Sequence, residues 1–126
     1  MKDVAPGPVV SAAQFDQLLA MAGPKLAKTL VAQLRADLSL AQHTLRAAVD
    51  PVDWAEIRVQ SHVVMGLAGT VGAQDLYLLA RQLNDVAQLD AQDAQMATAL
   101  ASSTGQAIDA VVTFLSLHPC ALAALA

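Results

Sequence analysis

The sequence predicts an all-α fold: an antiparallel up-down four-helix bundle with a short additional N-terminal helix. Three observations carry this. Hydrophobic residues make up 56% of the 126 residues, and much of that share is Ala and Leu, which are strong helix formers. Aromatic residues are only 3%, and Val, Ile, Phe, Tyr and Trp together are too few for a sheet protein. Apolar positions recur at spacings of three and four, in segments separated by short Gly, Pro and Asp breaks, and short connections favour antiparallel neighbours. The length suits one compact domain.

Residues 1–10 include Pro6, Gly7 and Pro8 and are expected to form a flexible lead. A short amphipathic segment follows around Ala12 to Met21, with Phe15, Leu18 and Leu19 on one side. Gly23 and Pro24 stop it and start the next helix, with Pro24 near N1, where its missing N–H is harmless. From Pro24 to Val49, Leu30, Leu34, Leu38, Ala41, Leu45 and Ala48 share a face, and Arg35, Asp37 and Gln42 fall on the other side.

Asp50 and Pro51 read as cap and N1 of a helix running to about Ala68, with Asp53 in its first turn. Its core stripe is Trp54, Ile57, Ser61, Val64 and Ala68, and residues 69–72 read as a short turn. A helix over about Ala73 to Gln88 carries Leu76, Leu79, Leu83 and Val86. Asp90 and Asp93 restart the chain, and the last helix runs to about His118 with Met96, Leu100, Ala107, Ile108, Val111, Phe114 and Leu115 inward. Pro119 ends it. The expected division is thus a lead over 1–10, a bundle over 11–119 and a short tail over 120–126.

Composition excludes several classes. Net charge is −4, with 7 Lys and Arg against 11 Asp and Glu, and no cluster of cations is available to neutralise nucleic-acid phosphates. Mean hydropathy is high at +0.47, yet no window of about 20 residues is free of charged or strongly polar side chains. The N-terminus lacks the long apolar run of a signal peptide. A soluble chain is expected, and the single Cys120 fits a reducing cytoplasm better than a secreted setting. Three scattered histidines and one cysteine make a structural metal site an unpromising reading.

The informative stretch runs from Gln60 to Ala73. Ser61 and Val64 belong to the core stripe, so His62 is turned about 100° away from Ser61, toward the outside of its helix. Arg58 and Val59 lie one turn before it, Met65 and Gly66 one turn after. A glycine inside a helix costs about 1 kcal/mol relative to alanine. Gly66 is understandable if something approaches the backbone closely beside the imidazole. The glycines of this stretch do not form a phosphate-binding loop, because no strand precedes them and no Lys-Ser/Thr follows. The Gly66–Gly69 spacing also imitates the loop of an RNA-binding KH domain, without its fold or its cations.

With His62, Val64, Gly66, Val71 and Gly72 in place, the chain resembles the histidine-containing phosphotransfer (HPt) family. That family's pattern is a histidine, an apolar residue two later, lysine three later, glycine four later, then apolar and glycine at nine and ten. The segment from Asp75 to Asn84 is similar to the family's next helix, where an amide or acid at the place of Asn84 faces the active imidazole. The resemblance extends from about Phe15 to Leu117 through helix order and length. One departure stands out: Met65 occupies the usual lysine place.

The resemblance implies a phosphocarrier rather than an enzyme, with no ATP site of its own. His62 would accept a phosphoryl group from a receiver aspartate or a kinase and pass it to another receiver. Asn84 would fix the imidazole tautomer, with Ser61 or Gln60 assisting, and Arg58, or less directly Arg81, would replace the missing cation. The partners implied are response-regulator receivers and a sensor or hybrid histidine kinase. Mg²⁺ is expected on the receiver and no cofactor on this chain. A cytoplasmic monomer follows, and a start methionine with an end just past the last helix suits a free-standing carrier.

Ala55, Val59, Val63, Met65 and Gly69 give the His62 face an apolar character and form the expected docking patch. Two rival readings use the same residues. One is an HPt-like adaptor that binds a receiver or kinase without being phosphorylated, which the methionine at position 65 motivates. The other is a structural bundle that self-associates through Val59, Val63 and Met65. His43 and His118 lack comparable neighbours and read as ordinary polar positions.

Overall fold

The computed structural model describes residues 9–89 and 92–120. Among them are five helices and no strand: α1 (Ala12–Ala22), α2 (Pro24–Ala48), α3 (Trp54–Val71), α4 (Gln74–Gln88) and α5 (Ala94–Leu117). The all-helical fold is therefore as expected. Asp90, expected to help restart the chain, and residues 1–8 and 121–126 of the lead and tail lie outside the described residues.

The helices α2 to α5 close a ring of contacts, each packing on two others: α2 on α3, α3 on α4, α4 on α5, and α5 back on α2. Helix α1 lies against α2 and α3. The enclosed core is built from aliphatic side chains, with Leu38, Leu45, Ile57, Leu76, Leu83, Ile108 and Leu115 fully buried. Phe15 is the largest of the fully buried side chains and anchors α1. Burial of each such group is worth about 1.5–3 kcal/mol, which is what holds these alanine-rich helices in place.

Several boundaries differ from the sequence reading. Helix α3 begins at Trp54 and not at Pro51, because Asp53 wins the capping role from Asp50. The Asp53 carboxylate accepts from the Glu56 N–H at 3.0 Å, while its own N–H donates to the Ala48 carbonyl at 2.7 Å. Pro51 instead sits in the turn, after a cis peptide, beside an isolated bridge between Val49 and Val52. At the other end, the turn expected over 69–72 is still helix to Val71, whose side chain is completely buried. Gly72 then takes a left-handed conformation (φ 76°, ψ 33°), and the Ala73 N–H reaches back to the Ala68 carbonyl at 2.8 Å. This is a Schellman ending, and glycine is the residue it favours.

Val10, expected in the flexible lead, is buried at 3% exposure. Its neighbour Ser11 donates its N–H to the Gly72 carbonyl and caps α1 by accepting from the Gln14 N–H. On α5 the inward stripe is Ala97, Ala101, Thr104, Ile108, Val111 and Leu115. Met96, expected inside, is half exposed, because it lies about 100° around the helix from Ala97, which begins the buried stripe. On α4, Ala80 is buried, whereas Leu79, expected on the inward face, is only half-buried and does not belong to the core. Gln42 does not face away from the core helices: its Nε2 donates to the Gly105 carbonyl and to Asp109, both on α5, at 2.8 Å.

Candidate functional site

The exposed face of α3 is set by its buried face. Ile57, Ser61, Val64 and Ala68 point inward, with spacings of four, three and four. The Ser61 hydroxyl is fully buried without penalty because it donates to the Ile57 carbonyl one turn back, at 2.7 Å. This leaves His62 exposed near the middle of α3. Val59 and Val63 beside it are 55% and 42% exposed, and Ala55, Gly66 and Gly69 are also on the surface.

An open groove of about 430 Å³ runs past the imidazole. It is lined on one side by Arg58, Val59, His62 and Val63 of α3, and on the other by Asn84 and Gln88 of α4. Arg58 is tied across the groove, its Nη1 donating to the Ala87 carbonyl at 3.1 Å near the end of α4. It forms no ion pair among the described residues. Asn84 places Oδ1 3.4 Å from the Ser61 hydroxyl. No hydrogen bond to the His62 ring is formed among the described residues, so the tautomer-fixing contact expected from Asn84 is not made here. Gln60, the other expected helper, donates to Glu56 and not to the imidazole.

Gly66 has no atom other than its own helix within 4 Å of where a Cβ would stand, and the same holds for Gly69. The backbone one turn beyond His62 is thus open to close approach. Met65 differs from its expected place on the docking face: it is only partly exposed and packs against the core. It therefore contributes less to an outer surface than Val59 and Val63 do. Arg81 is exposed on α4 but does not line the groove.

Of the residues singled out from the sequence, five meet in one place: Arg58, Val59, His62, Val63 and Asn84. Ala55, Gly66 and Gly69 share the exposed face without lining the groove, and Ser61 lies beneath it. Gln88 joins the site and was missed. Its signal was available, since it falls four residues after Asn84 and so on the same side of α4.

The other histidines separate cleanly. His43 is exposed on α2. His118 is not an ordinary polar position: its ring stacks edge-on against Phe15 at 5.3 Å, lies 6.1 Å from Phe114, and points Nε2 at Asp16 at 3.4 Å. No three His, Cys, Asp or Glu side chains converge among the described residues. No helix there is long and apolar enough to cross a membrane. No family model, curated protein or solved structure matches this chain.

Proposed function

We propose that this chain is a histidine phosphotransfer protein of a two-component phosphorelay, with His62 as phosphoacceptor. The observation that carries this is an exposed imidazole at mid-helix, sharing one groove with Arg58 and Asn84, with open backbone at Gly66 beside it. The closed ring of contacts among α2 to α5 and the short connections between them support the finer fold reading, an antiparallel up-down four-helix bundle preceded by α1.

In this reading the neutral imidazole attacks the phosphorus of a receiver's aspartyl phosphate. A nitrogen–phosphorus bond forms, the phosphorus–oxygen bond to the aspartate breaks, and the carboxylate leaves with the electron pair. The ring proton stays on the other nitrogen. Return to a second receiver reverses these steps. The receiver supplies Mg²⁺ and most of the stabilisation of the transferring group, whose demand is for placed charge rather than covalent help. This chain supplies position: α3 holds the imidazole outward, and the Arg58 guanidinium, anchored on the Ala87 carbonyl, brings positive charge into the same groove. Val59 and Val63 form the apolar contact for the receiver. The chain works as a cytoplasmic monomer between receivers and a hybrid kinase, without an ATP site of its own.

Met65 favours a second reading, in which the bundle binds a receiver or kinase without being phosphorylated. Its side chain packs against the core and carries no charge, so no cation stands at the place where the HPt pattern has one.

Incubation with phosphorylated receivers, followed by intact mass, separates the two. The carrier gains one acid-labile phosphoryl group, and His62→Gln loses it with helicity unchanged. Label that survives in that variant would overturn the assignment to His62, and tight binding to a receiver with no label would support the adaptor.

A further inference from the structure

A second groove, between α2 and α5, encloses about 340 Å³ and shares no lining residue with the groove at His62. Its volume lies at the lower end of the range for small-molecule sites. Gln42 crosses it, donating both amide hydrogens of Nε2, one to the Gly105 carbonyl and one to Asp109 Oδ1. A Cβ at Gly105 would stand 3.8 Å from Gln42 Nε2, in ordinary van der Waals contact. With Nε2 committed, Gln42 Oε1 remains as an acceptor in a polar site.

Arg46 follows Gln42 by one turn of α2, about 6 Å along the axis. Arg46 and Asp109 both line the groove, and neither forms an ion pair among the described residues. Val49, half-buried, and the edges of the buried Leu45 and Ala101 supply its apolar part. A simple anion would meet Asp109, and a simple cation would meet Arg46. A molecule carrying both charges satisfies both.

We propose that this groove binds a free α-amino acid with an aliphatic side chain. The carboxylate pairs with the Arg46 guanidinium, whose fork geometry suits it. The ammonium donates to Gln42 Oε1 and Asp109, and the side chain lies against Val49 and the edges of Leu45 and Ala101. The proposal does not depend on the phosphorelay reading.

The test is an NMR titration of the full chain with L-leucine, compared with L-leucinamide and 4-methylpentanoate, each of which lacks one of the two charges. The expected result is a saturable shift of the Gly105 amide and the Gln42 side-chain amide with leucine, and binding weaker by at least about tenfold for each analogue. Arg46→Gln, an exposed substitution on a helix, should weaken leucine binding by a similar factor, while His62→Gln should leave it unchanged. No saturable shift up to about 20 mM leucine would overturn the proposal. So would either analogue binding as tightly as leucine, or an Arg46→Gln variant that binds it normally.

Discussion

His62 and His118 are both imidazoles near the surface of a helical protein, and their neighbours give them opposite surroundings. His118 is held on three sides, by Phe15, by Asp16 and by the Cys120 N–H, which donates to Nδ1 at 3.2 Å. Its work is to join α1 to the end of α5. His62 is exposed and its ring forms no hydrogen bond among the described residues, which suits the proposed phosphoacceptor. Met65 is the residue that most limits the phosphorelay reading. A lysine there can keep its stem against the core while carrying its ammonium to solvent. Met65→Lys is therefore expected to lengthen the lifetime of phospho-His62 by roughly fivefold, for about 1 kcal/mol of partly screened attraction. Decay of the labelled protein, followed by intact mass, checks this. An unchanged lifetime would show that a cation at that position adds nothing to what Arg58 provides.

At the scale of the element, one glycine inside α3 and one at its end have opposite requirements. Gly66 sits in the interior of α3 with open space around it, so Gly66→Ala is expected to stabilise the fold by roughly 0.5–1 kcal/mol. Gly72 has positive φ and would place a Cβ 3.2 Å from the side chains of Ser11 and Gln14. Gly72→Ala is expected to destabilise by about 1–2 kcal/mol from backbone strain alone. Urea unfolding midpoints of the two variants should move in opposite directions. If both fell, Gly66 would have a structural role that the open space around it does not reveal. Asp53 belongs to the same scale: as the cap of α3, its replacement by alanine should cost about 1 kcal/mol, whereas Asp50→Ala should cost little.

For the whole molecule, the ring of helices shares one core, and a change inside it is felt by all of them. Ile108 is completely buried on α5, and Ile108→Ala is expected to cost about 2–5 kcal/mol in a single cooperative urea transition. His62→Gln, exposed on the opposite side of this division between core and surface, should stay within about 0.5 kcal/mol of the parent. Loss of cooperativity in the Ile108 variant, with α3 and α4 surviving, would show that the core is divided.

The sequence by itself determined the helices, their order and most of their inward faces. It also determined that His62 turns outward, because Ile57, Ser61, Val64 and Ala68 must turn inward. These are properties of a single helix: a residue's angle about its own axis follows from spacing alone. Tertiary structure decided what faces what. It chose Asp53 over Asp50 as cap, because the chain leaving α2 must close on the Ala48 carbonyl. It carried α3 through to Val71, because that side chain has a buried place to fill. It set Asn84 and Gln88 of α4 across the groove from His62, drew Arg58 to the Ala87 carbonyl, and bound Gln42 to Asp109 sixty-seven residues away. Such pairings depend on the register and crossing of two helices. Those are settled by side chains interlocking across the core, and no periodicity within one segment contains that information.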